Sequence, residues 1–164
     1  MGMCAFFSPL PASSLDALRD DPDAADAFLN PDDPDGEPAG SFDLDKAWHG
    51  LHYLFTGTAW DLAPPLGLAI LGGRVLGDED DDTVARLLEP AEVAQVAAAL
   101  EALTPATLSA RYDPADMDAK EIYPQIWSRD GDDGLDYLLH YFAPLKQGYA
   151  EAARRGDAML LTLG

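Results

Sequence analysis

A chain of 164 residues, 48% hydrophobic and 9% aromatic, carries enough apolar side chain to bury one continuous core without disulfide or metal staples, which excludes an intrinsically disordered chain. No apolar run approaches the roughly 18 residues that a membrane-spanning helix needs. Thirty Asp and Glu stand against ten Lys and Arg, a formal net charge of -20, so nucleic acid and anionic membrane are repelled rather than bound.

The first residues, MGMCAFFSPLPASS, lack the basic stretch and small-residue cleavage site of a signal peptide, and Phe6 stands where a myristoylation motif has Ser or Thr. The expected location is cytoplasmic. The single cysteine, Cys4, cannot form an internal disulfide and reads as a small hydrophobe, with no basic neighbour in sequence to stabilise a thiolate. Met3 to Ser8 reads as a short apolar strand stopped by Pro9 and Pro11. Ser13 or Ser14 then caps a short helix carrying Leu15 and Leu18. Asp21-Pro22 has the order of a cap followed by a first-turn proline and predicts another helix, with Ala25, Phe28 and Leu29 inward. From about 30 to 41 the chain is acidic and rich in Pro and Gly, the composition of a surface loop.

Asp43 is the expected cap of a helix whose Leu44, Trp48, Leu51 and Phe55 recur at spacings of four, three and four, the stripe of a core-facing amphipathic helix ended by Gly57. After a Pro-containing loop with Trp60, Leu66 to Leu71 reads as a buried strand that Gly72-Gly73 turns into Arg74 to Leu76, a small hairpin. Pro90 opens a helix with Val93, Val96, Ala97, Leu100 and Leu103 on one face. Thr104-Pro105 and Asp113-Pro114 repeat the cap-then-proline signal. Leu135 to Arg155 is the longest expected helix, with Leu138, Leu139, Phe142, Leu145, Tyr149 and Ala152 inward and Pro144 bending it. Gly156 supplies its left-handed stop, and Ala158 to Leu163 reads as a final strand. The sum is an α+β fold: residues 1 to 164 as a single compact domain, with helices packed around a small sheet containing both chain ends.

Chemistry-bearing motifs are few. His49 and His52, with Asp45 four residues before His49, put three metal-ligand types on one flank of a helix. One helical face cannot build the tetrahedral cup of a zinc site, so no metal is expected. His52 is instead expected to be buried and hydrogen-bonded near the core, and His49 to lie at the surface. Asp78, Asp80, Asp82 and Glu89 match positions one, three, five and twelve of a calcium loop. Thr83, however, stands where the sharp turn needs glycine, and the run reads as solvated loop. Gly67, Gly72 and Gly73 before Arg74 lack the Lys and the Ser or Thr of a phosphate loop. No GxSxG elbow, CxxC pair or HExxH helix is present, and no cofactor is expected.

The helix DLDKAWHGLHYLFTG from Asp43 to Gly57, the AILGG turn, the EIYPQIW segment from Glu121 to Trp127 and the closing YLLHYF to AARRGDAMLLTLG resemble the YfbM-like family of bacterial proteins, in motif order along nearly the whole chain. The resemblance implies a compact α+β domain in the bacterial cytoplasm and brings no activity, substrate or catalytic residue. Asp43, Asp45, Lys46, Trp48, Leu51, His52, Thr56, Gly57, Tyr123, Pro124 and Trp127 match its pattern. His49 falls where the family varies, and Glu89 where a Ser, Thr or Asp cap is expected, implying a weaker helix start. Two function classes follow. An acidic small domain with no recognisable nucleophile suits a non-enzymatic binding protein for a basic partner, immunity or antitoxin-like in one concrete form. The alternative is an enzyme or small-ligand binder with a pocket around Asp45, Lys46, His52, Tyr123 and Trp127.

Overall fold

A computed structural model describes residues 2–21, 40–76 and 84–164. The helix expected after Asp21-Pro22, all but the end of the 30–41 loop and the Asp78 to Asp82 run lie outside the described residues. Strand β1 (Ala5–Leu10) alternates as a two-sided strand must, with Ala5 and Phe7 on the larger core and Leu10 on the smaller one. It runs through Pro9, where a stop is expected, because of the register. Cys4 and Gly164 exchange both backbone bonds, at 2.8 and 3.1 Å, so Pro9, opposite Met159, belongs to a pair that exchanges none with β5 (Ala158–Leu163). Its nitrogen faces β2 (Phe42–Asp43), which pairs only with Phe6 and Phe7. No ladder bond is lost.

Helix α1 (Ala12–Asp20) follows β1 after Pro11 with no side-chain cap, so neither Ser13 nor Ser14 plays that part. A 3-10 turn (Asp45–Ala47) feeds α2 (Trp48–Thr56), whose predicted stripe is buried and whose end is Gly57 in the left-handed region, φ 73°. The strand expected over Leu66 to Leu71 is instead a short helix, α3 (Leu68–Leu71), and its hairpin with Arg74 to Leu76 does not form. A short apolar run does not distinguish strand from helix, and here Ala69, Ile70 and Leu71 bury as one helical turn. Gly73, at φ 102°, leads into β3 (Arg74–Leu76), whose partner is β4 (Val84–Leu88), a strand the sequence reading did not anticipate.

Helix α4 (Pro90–Glu101) buries Val93, Val96 and Leu100. The weaker start implied by Glu89 is offset by Glu92, whose Oε1 accepts the Glu89 N–H at 3.0 Å. Both remaining cap predictions hold. Thr104 accepts from the Thr107 N–H to start α5 (Pro105–Arg111), and Asp113 from the Asp116 N–H to start α6 (Pro114–Ala119). After α7 (Trp127–Asp130) the long helix α8 (Asp132–Arg155) begins three residues before Leu135, runs through Pro144 and stops at Gly156, φ 72°.

The sheet is antiparallel throughout, in the order β2-β1-β5-β4-β3, with the strands from the two ends of the sequence beside one another. One face packs Ala5, Phe7, Leu88, Met159 and Leu161 against α2, α4 and α8. The other packs Leu10, Leu76, Leu87 and Leu160 against Leu15 and Leu18 of α1. This is the expected α+β domain. Among the described residues no single helix is long and apolar enough to cross a membrane.

Candidate functional site

Helix α2 is buried on nearly all sides, so the chain segments laid over it decide what reaches the surface. On one flank Gly50 lets α7 and α8 approach. A Cβ there would stand 2.6 Å from Leu138 Cδ2 and 2.7 Å from Trp127 Cη2. Trp127 is fully buried and donates from Nε1 to the Ile122 carbonyl at 2.8 Å. It serves the core.

On the other flank His49 is buried, 1% exposed, which corrects the surface position expected for it. The loop after α2 folds back over the ring, and a helical wheel cannot show that cover. Nδ1 accepts the Tyr123 N–H at 2.8 Å, which fixes the neutral tautomer with its proton on Nε2, and that proton is donated to the Ala59 carbonyl at 3.0 Å. Burial holds the imidazole below its ordinary pKa. The ring also stacks on Trp48, centroids 4.8 Å apart, and lies 4.5 Å from Trp60, while Trp48 stacks on Tyr123 at 5.5 Å. His49 therefore joins three segments: α2, the loop at Ala59, and the Tyr123 strap.

His52 is fully buried, as expected, but the expected hydrogen bond is missing. Neither ring nitrogen has a hydrogen-bond partner among the described residues. Burial, reinforced by His49, pushes its pKa down to about 4 against a weaker opposing pull from Asp61. The ring is neutral at pH 7.

A second cluster sits where β1 meets the 3-10 turn. Asp43 Oδ1 accepts the Asp45 N–H at 3.0 Å, so the predicted cap acts on the turn that precedes α2. Asp45 stands in the left-handed region, φ 46°, a conformation that non-glycine residues hold only where neighbours fix it. Its Oδ2 accepts the Tyr137 hydroxyl at 2.8 Å and its Oδ1 the Cys4 thiol at 3.5 Å. The Tyr137 bond holds the carboxyl below its ordinary pKa, and the same pairing pushes Tyr137 up, in addition to burial. Burial and Asp45 raise the Cys4 thiol, so it stays protonated and a nucleophilic role has no support. Lys46 is exposed and donates its backbone N–H to the Tyr137 oxygen at 3.1 Å. The Tyr123 hydroxyl accepts the Met3 N–H at 2.9 Å, and Trp48 Nε1 donates to the Met3 carbonyl at 2.9 Å.

Asp45, Lys46 and Tyr123 thus converge on residues 2–4, whereas His52 and Trp127 are buried along α2. An open recess lined by Tyr53, Phe55, Thr56, Gly57 and Arg111 lies near the end of that helix. There Arg111 donates to the Leu54 carbonyl at 3.0 Å and the Tyr53 hydroxyl to Asp116 at 2.7 Å. No group of three or more metal-ligand side chains gathers among the described residues. The sequence reading assigned no role to Trp60, 63% exposed although it packs against the His49 ring. A tryptophan inside a Thr, Asp and Pro loop directly after an aromatic-rich helix was the available signal.

A family model described as a domain of unknown function, DUF1877, matches residues 1–162. No curated protein matches the sequence. Among solved structures, YfbM from Escherichia coli, a protein of unknown function, aligns with a TM-score of 0.75 at 22% identity, covering 98% of this chain and 99% of that one. At that identity the likeness establishes a shared fold, and the resemblance read from the sequence holds.

Proposed function

Since the chain belongs to the DUF1877 family, described as a domain of unknown function, we propose that it is a non-enzymatic cytoplasmic binding protein for a basic protein partner. The observation that supports this reading is the charge imbalance, thirty Asp and Glu against ten Lys and Arg, carboxylates that are ionised at neutral pH. Three of them are held below their ordinary pKa by donors of the chain itself, Asp45 by the Tyr137 hydroxyl, Asp116 by Lys120 and the Tyr53 hydroxyl, and Asp118 by Ser128 and the Trp127 N–H. With a net charge of -20, such a surface steers a cationic partner in and rejects nucleic acid. An immunity or antitoxin-like role against a basic protein is one concrete form.

The test is affinity capture on the immobilised protein from its source cell. One stoichiometric basic protein is expected, with retention that falls steeply as salt shortens the Debye length. Repeated capture of no such protein, or retention indifferent to salt, overturns the reading.

A further inference from the structure

The segment from Thr58 to Ala63 is a rigid loop with its apolar side chains turned outward. The Thr56 hydroxyl donates to the His52 carbonyl at 3.0 Å and accepts the Thr58 N–H at 3.2 Å. The Thr58 hydroxyl accepts the Asp61 N–H at 3.0 Å, and Asp61 Oδ1 the Ala63 N–H at 3.3 Å. The Ala63 carbonyl accepts the Gly67 N–H at 2.9 Å and that of Ala59 the His49 ring proton. A loop tied down at so many points has little entropy left to lose on binding. Yet Trp60 is 63% and Leu62 47% exposed, and Met3, whose backbone carbonyl accepts the Trp48 indole N–H, is 42% exposed. These are three of the four large hydrophobic side chains found exposed among the described residues.

We propose that Trp60, with Leu62 two residues on, is the docking element for a basic segment of a partner protein, whose Lys or Arg side chain stacks on the indole face. This deepens the binding role proposed above and rests on it. Two arguments select the occupant. An exposed indole braced from behind by His49 and Trp48 is a preorganised anchor of the kind that dominates interfaces, and its π-face attracts a cation. Charge selects the sign: Asp61 is the sequence neighbour of Trp60, within a chain whose net charge is -20. A second copy of the same chain brings the same charge and is repelled.

The experiment titrates the full chain with a short peptide of alternating Arg and Leu and with its counterpart in which citrulline replaces Arg, at two salt concentrations, following tryptophan emission and calorimetry. Trp48 and Trp127 are fully buried, so an emission change on binding reports Trp60. The Arg peptide is expected to shift that emission, to bind at least tenfold more tightly than the citrulline peptide, and to lose at least tenfold in affinity on Trp60→Ala at a temperature where circular dichroism shows that variant still folded. Undiminished binding of the Arg peptide to Trp60→Ala overturns the Trp60 site and leaves the acidic-surface reading standing. Absence of binding to the wild type overturns the Trp60 site, while the salt-dependent capture alone decides the acidic-surface reading. Equal binding of the two peptides overturns a cationic occupant, and self-association in sedimentation that Trp60→Ala abolishes replaces it with a second copy.

Discussion

The two flanks of α2 each carry a tryptophan, and the two differ in what the rings are for. Trp127 sits against Gly50, fully buried, with its indole N–H satisfied by Ile122. Trp60 sits against the His49 ring, centroids 4.5 Å apart, but leaves most of its surface in water. Burial on the first flank is a closed account of packing and hydrogen bonds. On the second, the same kinds of contact hold a side chain in place without covering it. Rigid support and exposure together are what the docking role proposed for Trp60 requires.

Substitutions separate the two flanks by size of effect. Trp127→Ala should cost about 3 to 5 kcal/mol of unfolding free energy in urea, because it empties a large core volume and strands the Ile122 carbonyl. A loss under about 1 kcal/mol would mean that this flank is not core. Acid acts through the other flank. Unfolded histidine titrates near 6.5 and folded His52 at about 4, so between these values the unfolded chain binds a proton that the native one refuses. The contribution is fully present above the unfolded pKa and lost as pH falls toward the folded one, about 3 kcal/mol over that window. Urea midpoints measured from pH 7 to pH 4 should fall accordingly, and His52→Leu should flatten most of the slope. A wild type equally stable at pH 7 and pH 4.5 would contradict the burial of this ring.

His49→Ala removes two hydrogen bonds and the ring contacts with Trp48 and Trp60 and should cost about 2 kcal/mol. Amide exchange should quicken at Tyr123, whose N–H loses its acceptor, and unchanged exchange there would break the link between α2 and that strap. Tyr137→Phe is the mildest, at about 1 kcal/mol or less. Its clearer readout is the Asp45 carboxyl, whose pKa by NMR should rise toward the ordinary value once the hydroxyl that stabilises its charge is gone.

What the sequence made legible follows from how local each signal is. The α2 stripe, the Thr104 and Asp113 caps, the Gly57 and Gly156 stops and the β5 run are each decided within a few residues, and they stand as expected. Leu66 to Leu71 failed because six apolar residues suit a buried strand and a buried turn of helix equally. Pro9 failed because its tolerance depends on which side of β1 runs out of partners, a property of the sheet. At the candidate site, Asp45 and Tyr123 could be singled out from the family-like motifs, but their meeting with Met3, Cys4 and Tyr137 joins positions 41 to 120 residues apart. His49 was misplaced for the same reason, since the cover that buries it comes from another segment.

The pairing of β1 with β5 sets an order for synthesis. The middle of the sheet is made from residues 5–10 and 158–163, so while the chain emerges from the ribosome β1 has only the two residues of β2 to pair with, and β4 has only β3. The two strand pairs become one sheet only when β5 fills the slot between β1 and β4. A chain without β5 would therefore hold two open strand edges, and the pairing of residues 158–163 becomes the event that closes the domain.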